Sequence, residues 1–227
     1  MGLLVAIEGI DGSGKGTQAR HLVDRLHQEN FRTELFSFPR YSETRFGAAI
    51  GTFLNGGFGP LESVHPQLAA VLYAGDRHES RGLLQESLQA CDVVVCDRYV
   101  SSNLAHQGAR LEEPARGELI EWIEAVEHEA FDLPHPDRVI WLDVPVDLAG
   151  TLIAKKTPRD YTDKQADLQE SDREYQQLVR DVYQGLAAER PGWQRIGCVV
   201  GGAVRPVEDI ADDVWNVVAA RLSGSET

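Results

Sequence analysis

The chain has 227 residues, 42% of them hydrophobic, and carries 36 acidic against 22 basic residues for a formal net charge of −14. With a mean hydropathy of −0.29 it can fill a core, which excludes a disordered tail or a small disulfide-stapled scaffold. Such an acidic surface repels phosphate backbones and anionic lipid. No nucleic-acid or membrane partner is therefore expected, and an anionic ligand would need a pocket that reverses the field locally.

In chain order, residues 3–7 are a continuous apolar run, the pattern of a strand covered on both faces. Ala19, Leu22, Val23 and Leu26 then recur at helical spacing and predict an amphipathic helix over residues 14–29. A second strand over residues 33–38 stops at Pro39. Helices follow over 42–54 and 66–90, parted by the turn-rich stretch 55–60. Strands at 93–96 and 139–144 enclose helices at 100–108 and 114–130. After residues 147–154 comes a polar, charge-mixed segment at 155–167, then a helix at 172–188, a strand at 195–200 and a helix at 207–222. Residues 223–227 read as a frayed tail.

Strands separated by helices imply right-handed βαβ units, hence an α/β fold with a parallel five-stranded sheet between helical layers. No repeat or linker divides the chain, so residues 1–227 read as a single domain. Cys91, Cys96 and Cys198 form no CxxC pair, lie beside valines and read as reduced core residues. No apolar run reaches membrane-helix length, and residues 3–7 break at Glu8, too early for a signal core. A cytoplasmic protein is expected.

Gly9-Ile10-Asp11-Gly12-Ser13-Gly14-Lys15-Gly16-Thr17 follows a predicted strand and opens a predicted helix, the setting a phosphate-binding loop requires. Its glycines let backbone N–H groups converge on phosphate oxygens at a helix N-terminus, with Lys15 reaching the outer phosphates. Gly16 stands where the strict pattern has a magnesium-binding hydroxyl, which Thr17 could supply one place later. Asp11 puts a carboxylate inside the cradle, tolerable where a metal or second substrate lies against it. As a simpler reading, it caps the following turn.

Two arginines stand at strand ends, Arg40 after Phe38-Pro39 and Arg98 after Cys96-Asp97, and Arg77 lies within the 66–90 helix. Guanidinium forks grip phosphate and stabilise charge on a transferring phosphoryl group. Asp97, closing the 93–96 run, is placed to hold Mg²⁺ or its waters, or else to pair with Arg98. The basic stretch Lys155-Lys156-Thr157-Pro158-Arg159-Asp160 reads as a mobile lid over about 155–167, closing to exclude water.

At these residues the chain resembles the thymidylate kinases, within the P-loop nucleoside monophosphate kinases. The carrying motifs are Glu8 to Lys15, Phe38-Pro39-Arg40-Tyr41, Asp76-Arg77 and Asp97-Arg98-Tyr99-Val100-Ser101-Ser102-Asn103. The resemblance implies transfer of the ATP γ-phosphoryl group to dTMP with Mg²⁺, in a homodimer packed through helices. It places Asp11 near the acceptor sugar and the metal, Tyr73 stacked on the base and Arg77 reading the base. Asn103 and Tyr41 would line the acceptor pocket, with Arg40 and Arg98 on its phosphate. His106 stands where some relatives carry a tyrosine against the sugar 2′ position. The loop has no arginine of its own, so the lid would supply one, Arg159 ahead of Lys155 and Lys156; Glu170 loosely matches an acidic position near the metal waters.

Lys15, Arg98, Arg159 and Asp11 are thus the expected catalytic set, residues 9 and 11–17 the ATP-binding set, and Asp11 and Asp97 the metal carboxylates. Alternatives are a kinase for another nucleoside monophosphate or deoxynucleoside, or a non-catalytic nucleotide-binding module or switch. None of the four asparagines precedes a lysine, so the guanine-reading Asn-Lys-x-Asp motif of a GTPase switch is missing.

Overall fold

A computed structural model describes residues 1–153 and 172–224. Its central sheet joins β1 (Leu3–Glu8), β2 (Thr33–Ser37), β3 (Val93–Asp97), β4 (Arg138–Asp143) and β5 (Trp193–Gly197). All neighbours are parallel, in the order β2-β3-β1-β4-β5. The predicted sheet is therefore present, and the apolar runs are its central strands. Val93, Val94, Val95 and Cys96 are all fully buried, as are Val5, Ala6 and Ile7 beside them. A strand covered on both faces gains nothing from alternation, so β1 and β3 read as unbroken apolar runs.

Eight α-helices flank this sheet among the described residues. They are α1 (Lys15–Gln28), α2 (Arg45–Leu54), α3 (Pro66–Ala90), α4 (Val100–Gly108), α5 (Ala115–Glu124), α6 (Val146–Ile153), α7 (Arg173–Glu189) and α8 (Val207–Leu222). The apolar stripe of α1 is inward as predicted, with Ala19, Leu22 and Leu26 buried, and α1 packs beside α8. Helix α4 is different, since all nine of its residues are buried between α3, α5 and α7. On a short helix that is enclosed all round, every polar side chain needs a partner, from the protein or from a ligand.

Three details depart from the sequence reading. The predicted strand at 195–200 is shifted: β5 ends at Gly197, and β6 (Val199–Val200) turns back to pair antiparallel with β7 (Ala203–Val204). Gly201 and Gly202, with φ of 61° and 80°, make that reversal. The predicted helix at 114–130 runs as α5 and then as a π-helical turn at Ala125–Ala130. Cys91 caps α3 and is only partly buried, so the core reading holds for Cys96 and Cys198 alone; all three are unpaired. The segment at 155–167 with Lys155, Lys156 and Arg159, together with Glu170 and residues 225–227, lies outside the described residues. No described helix is long and apolar enough to cross a membrane.

The core argument gives a direct expectation. Leu26, fully buried under the sheet, should cost about 2–5 kcal/mol when cut to alanine. Leu83, 51% exposed on α3, should cost no more than about 0.5 kcal/mol. Urea unfolding of the two variants measures the contrast.

Candidate active site

The C-terminal ends of β1 and β3 build one wall of the site. After β1 the chain enters the phosphate loop, and Gly14 takes φ 89° as the residue before α1. That left-handed conformation strains any residue with a Cβ. Gly14 O then accepts from the N–H groups of Thr17 and Gln18, both at 3.0 Å. Lys15 is buried and folds back over the loop, its Nζ donating to Ile10 O at 2.8 Å and approaching Ser13 Oγ at 3.5 Å. The loop thus holds the ammonium by its own oxygens.

Gly16 has a separate reason. A Cβ there would sit 2.8 Å from Asp97 Oδ2, closer than real contacts allow. Asp97 therefore occupies the space that a serine or threonine would fill in the strict motif. The departure noticed in the sequence is a carboxylate standing in place of a hydroxyl.

Arg98 follows β3 with φ 68°, a left-handed backbone that an arginine adopts only at a cost of about 1–3 kcal/mol. Glu8 secures this turn. It is fully buried and accepts from Tyr99 N at 2.8 Å, Ser102 N at 3.2 Å, Ser102 Oγ at 2.6 Å and Tyr183 Oη at 2.8 Å. Glu8 thus caps α4 from another strand, satisfying amides that the first turn of a helix leaves open. Burial pushes its carboxyl above the usual range, and the Ser102 hydroxyl and Arg98 charge only partly oppose this.

The Arg98 guanidinium is oriented on every side. Its Nη2 donates to Asp11 Oδ1, and its Nη1 donates to Ser102 Oγ at 3.2 Å and to His106 Nε2 at 3.3 Å. Asp11, not Asp97, is the ion-pair partner. Burial alone would lower the Arg98 pKa, but the Asp11 charge together with the neighbouring Asp97 and Glu8 carboxylates outweighs it and holds the group charged. Gln176 of α7 in turn grips Asp11 twice, donating to Oδ2 at 3.0 Å and accepting from its N–H at 3.2 Å. An arginine only donates, so His106 Nε2 accepts and Nδ1 carries the proton, facing Tyr175 Oη at 3.2 Å. Burial and then the Arg98 charge push the His106 pKa down to about 3.

The opposite wall comes from β2, α3 and α4. Arg40 donates through its backbone to Asp76 at 3.0 Å and through Nη1 to Ser80 Oγ at 3.1 Å, and it pairs with Glu43. Asp76 also accepts from Thr44 Oγ1 at 2.5 Å, and Thr44 caps α2. Arg77 is buried and bound by Glu127 through Nε at 2.5 Å and Nη2 at 2.6 Å. Although burial opposes it, the Glu127 charge keeps that guanidinium ionised. Asn103 Nδ2 donates to the same carboxylate at 2.8 Å and to Ala70 O at 3.1 Å.

These walls enclose a cavity of about 740 Å³. Asp11, Lys15, Gly16, Thr17, Asp97 and Arg98 line it on the loop side, and Arg40, Tyr41, Tyr73, Arg77, Asn103 and His106 complete it. Gly14 also lines it, whereas Gly9, Gly12 and Ser13 belong to the loop behind. The sequence reading did not single out Gln107, Glu127, Tyr175 or Gln176 as site residues. Glu127 left a trace: it falls four places after Ile123, on the stripe that Leu119 and Ile123 bury, where a carboxylate needs a partner.

Residues 7–197 match the family model described as thymidylate kinase. This chain belongs to the thymidylate kinase family. It is 36% identical over 204 residues to a thymidylate kinase of Mycobacterium tuberculosis, covering 90% of this chain and 94% of that protein. A probable thymidylate kinase of Thermococcus onnurineus is 33% identical over 225 residues, covering 97% and 98%. A thymidylate kinase of a Synechococcus strain is 33% identical over 224 residues, covering 97% and 96%.

Two outcomes follow from this geometry. Glu8→Ala leaves several buried donors without an acceptor and should cost about 3 kcal/mol or more, while Glu8→Gln, whose amide can reorient the two hydroxyls, should cost clearly less; thermal unfolding ranks them. His106 titrates near 6.5 when unfolded but near 3 when folded, so below about pH 6.5 the unfolded chain binds a proton the folded one lacks and stability falls. The melting-temperature gap between the wild type and His106→Asn should accordingly narrow from pH 7 to about pH 4.5.

Proposed function

We propose that the chain phosphorylates dTMP, moving the ATP γ-phosphoryl group to give dTDP and ADP, as a single kinase domain. The observation that carries this is the unsatisfied chemistry of the cavity wall. Asn103 Oδ1 and Gln107 Nε2 are buried without a partner among the described residues, and both residues line the cavity. Asn103 turns its amine toward two oxygens, leaving the acceptor over; Gln107 Oε1 accepts from Arg110 at 3.2 Å, leaving the donor over. A base presenting an N–H beside a carbonyl supplies both missing partners. Thymine has that edge, and cytosine does not.

The acceptor phosphate is already a nucleophile, so catalysis is positioning and charge neutralisation. Lys15 serves the donor phosphates from the loop. Arg98, held at its far edges by Asp11, Ser102 and His106, serves the phosphoryl group between the two nucleotides, with Arg40 on the acceptor phosphate. Arg159 is assigned the cation from the lid, and Asp11 the position beside the acceptor sugar. Tyr73 stacks on the base, Tyr41 lines the pocket, and His106, backed by Tyr175, fills the space against the sugar.

Among the described residues, no group of three or more His, Cys, Asp or Glu gathers to hold a metal by itself. The carboxylate of Asp97 over Gly16, with the Thr17 hydroxyl one place on, fits Mg²⁺ that is bound largely through phosphates. Mg²⁺, when bound with ATP, neutralises charge on the donor phosphates. Asp11 is the weaker ligand of the two, since Arg98 and Gln176 engage both its oxygens. A homodimer accords with Leu68 and Leu83, 64% and 51% exposed on α3. A cytoplasmic location accords with three unpaired cysteines.

A coupled ADP-release assay across nucleoside monophosphates should give dTMP as the preferred acceptor, and preference for another base would refute the assignment. Lys15→Ala should fold yet lose roughly a hundredfold or more in turnover.

A further inference from the structure

We propose that Glu127 is a positioning residue that sets the base selectivity of the acceptor pocket without touching the base. This rests on the reading of the pocket as a site for an N–H-plus-carbonyl base edge. Glu127 is fully buried on the π-helical turn after α5, which a Phe131 N–H to Val126 O bond of 2.9 Å closes. From this turn the side chain reaches Arg77 on α3 and Asn103 on α4.

The carboxylate of Glu127 can only accept. Oε1 takes Arg77 Nη2 at 2.6 Å and Asn103 Nδ2 at 2.8 Å, and Oε2 takes Arg77 Nε at 2.5 Å. Facing that oxygen and Ala70 O, the Asn103 amide has one orientation, amine inward and Oδ1 left over. Asn103 can therefore offer the ligand an acceptor and not a donor. The two bonds to Arg77 fix its fork by the Nε and Nη2 edge. Glu127 thus dictates the hydrogen-bonding sense of two cavity residues at once.

A glutamine at 127 breaks this logic. Its amine must face either Arg77 or Asn103, both of them donors, so the Asn103 amine loses its charged acceptor and only Ala70 O still holds it inward, which lets Nδ2 turn outward. The pocket then offers a donor where it offered an acceptor, which suits the unprotonated ring nitrogen of cytosine.

The test compares dTMP and dCMP as acceptors for wild type and Glu127→Gln, with saturating ATP and the KM for ATP measured alongside. The expected result is a fall of at least about tenfold in the dTMP-to-dCMP ratio of kcat/KM. It should arise mainly from the dTMP KM, with the ATP KM unmoved and much of the ratio restored in Glu127→Asp, whose carboxylate still only accepts. A ratio that stays within twofold of wild type, or a kcat loss shared equally by both acceptors at unchanged KM, overturns the proposal. If Glu127→Gln does not fold, the double variant Arg77→Gln/Glu127→Gln, which leaves no buried charge alone, is compared with Arg77→Gln, and the proposal requires the lower ratio in the double variant. A retained ratio there overturns the proposal as well. A wild-type enzyme with no preference for dTMP over dCMP removes the base reading itself, and this inference with it.

Discussion

Lys15, Arg40, Arg77 and Arg98 share one cavity, and holding four cations close together out of bulk water is the constraint that shapes everything around them. An unpaired buried charge costs several kcal/mol, so each cation needs an oxygen partner, yet a partner that saturates it leaves nothing for a ligand. The four solve this to different degrees. Arg77 and Glu127 are 2% and 0% exposed, and breaking such a pair is far costlier than forming ligand contacts could offset. Arg98 and Asp11 are 18% and 13% exposed, and Arg40 pairs with a Glu43 that is 56% exposed. The gradient sorts fixed scaffolding from exchangeable grip: in the proposed reaction the Arg77 side would stay rigid, and the Arg98 and Arg40 side would trade a carboxylate for a phosphate oxygen.

The rigid scaffolding extends behind Arg98. Its backbone would not hold a left-handed turn unaided, and Glu8 supplies the restraint by binding the amides on both sides of the first turn of α4. Helix α7 adds a second brace through its first turn, where Tyr175 meets His106 and Gln176 meets Asp11. Neutral His106 is essential to this arrangement, because a protonated ring would turn an N–H toward the Arg98 fork. Burial and the arginine itself keep it neutral, so the brace and the group it supports stabilise one another.

How much of this was legible in sequence depends on the range of the interactions. Strand and helix order was readable because apolar runs such as Val93-Val94-Val95-Cys96 and stripes such as Ala19-Leu22-Leu26 report burial locally. The phosphate loop was readable because it is contiguous, and the Gly16 departure was visible though its cause, Asp97, lies on another strand. Arg40, Arg77 and Arg98 were found by their positions at strand ends and in the family motifs. The groups that brace the site were not: Glu127, Gln176 and Tyr175 lie 50, 165 and 69 residues from Arg77, Asp11 and His106, which they bind. Nothing in the order of residues announces such a pairing, and the π-helical turn that delivers Glu127 has no periodicity signal of its own. The β6–β7 hairpin was read as strand continuation because valines favour strands whichever way they pair.

An acidic chain that gathers cations in one place also gains in discrimination. At physiological ionic strength, charges beyond about 8 Å are largely screened, so the exterior does little to a nucleotide already in the cavity. Inside, contact distances and low effective dielectric make the nearest groups dominate. A polyanion wide enough to avoid the cavity meets only the negative surface, whereas a small phosphate that can enter meets Lys15, Arg98 and Arg40 at once. The net charge of −14 and the cationic pocket are therefore complementary parts of one selection, by size and sign together, and the base reading proposed for Asn103 and Gln107 would act only on ligands that have already passed it.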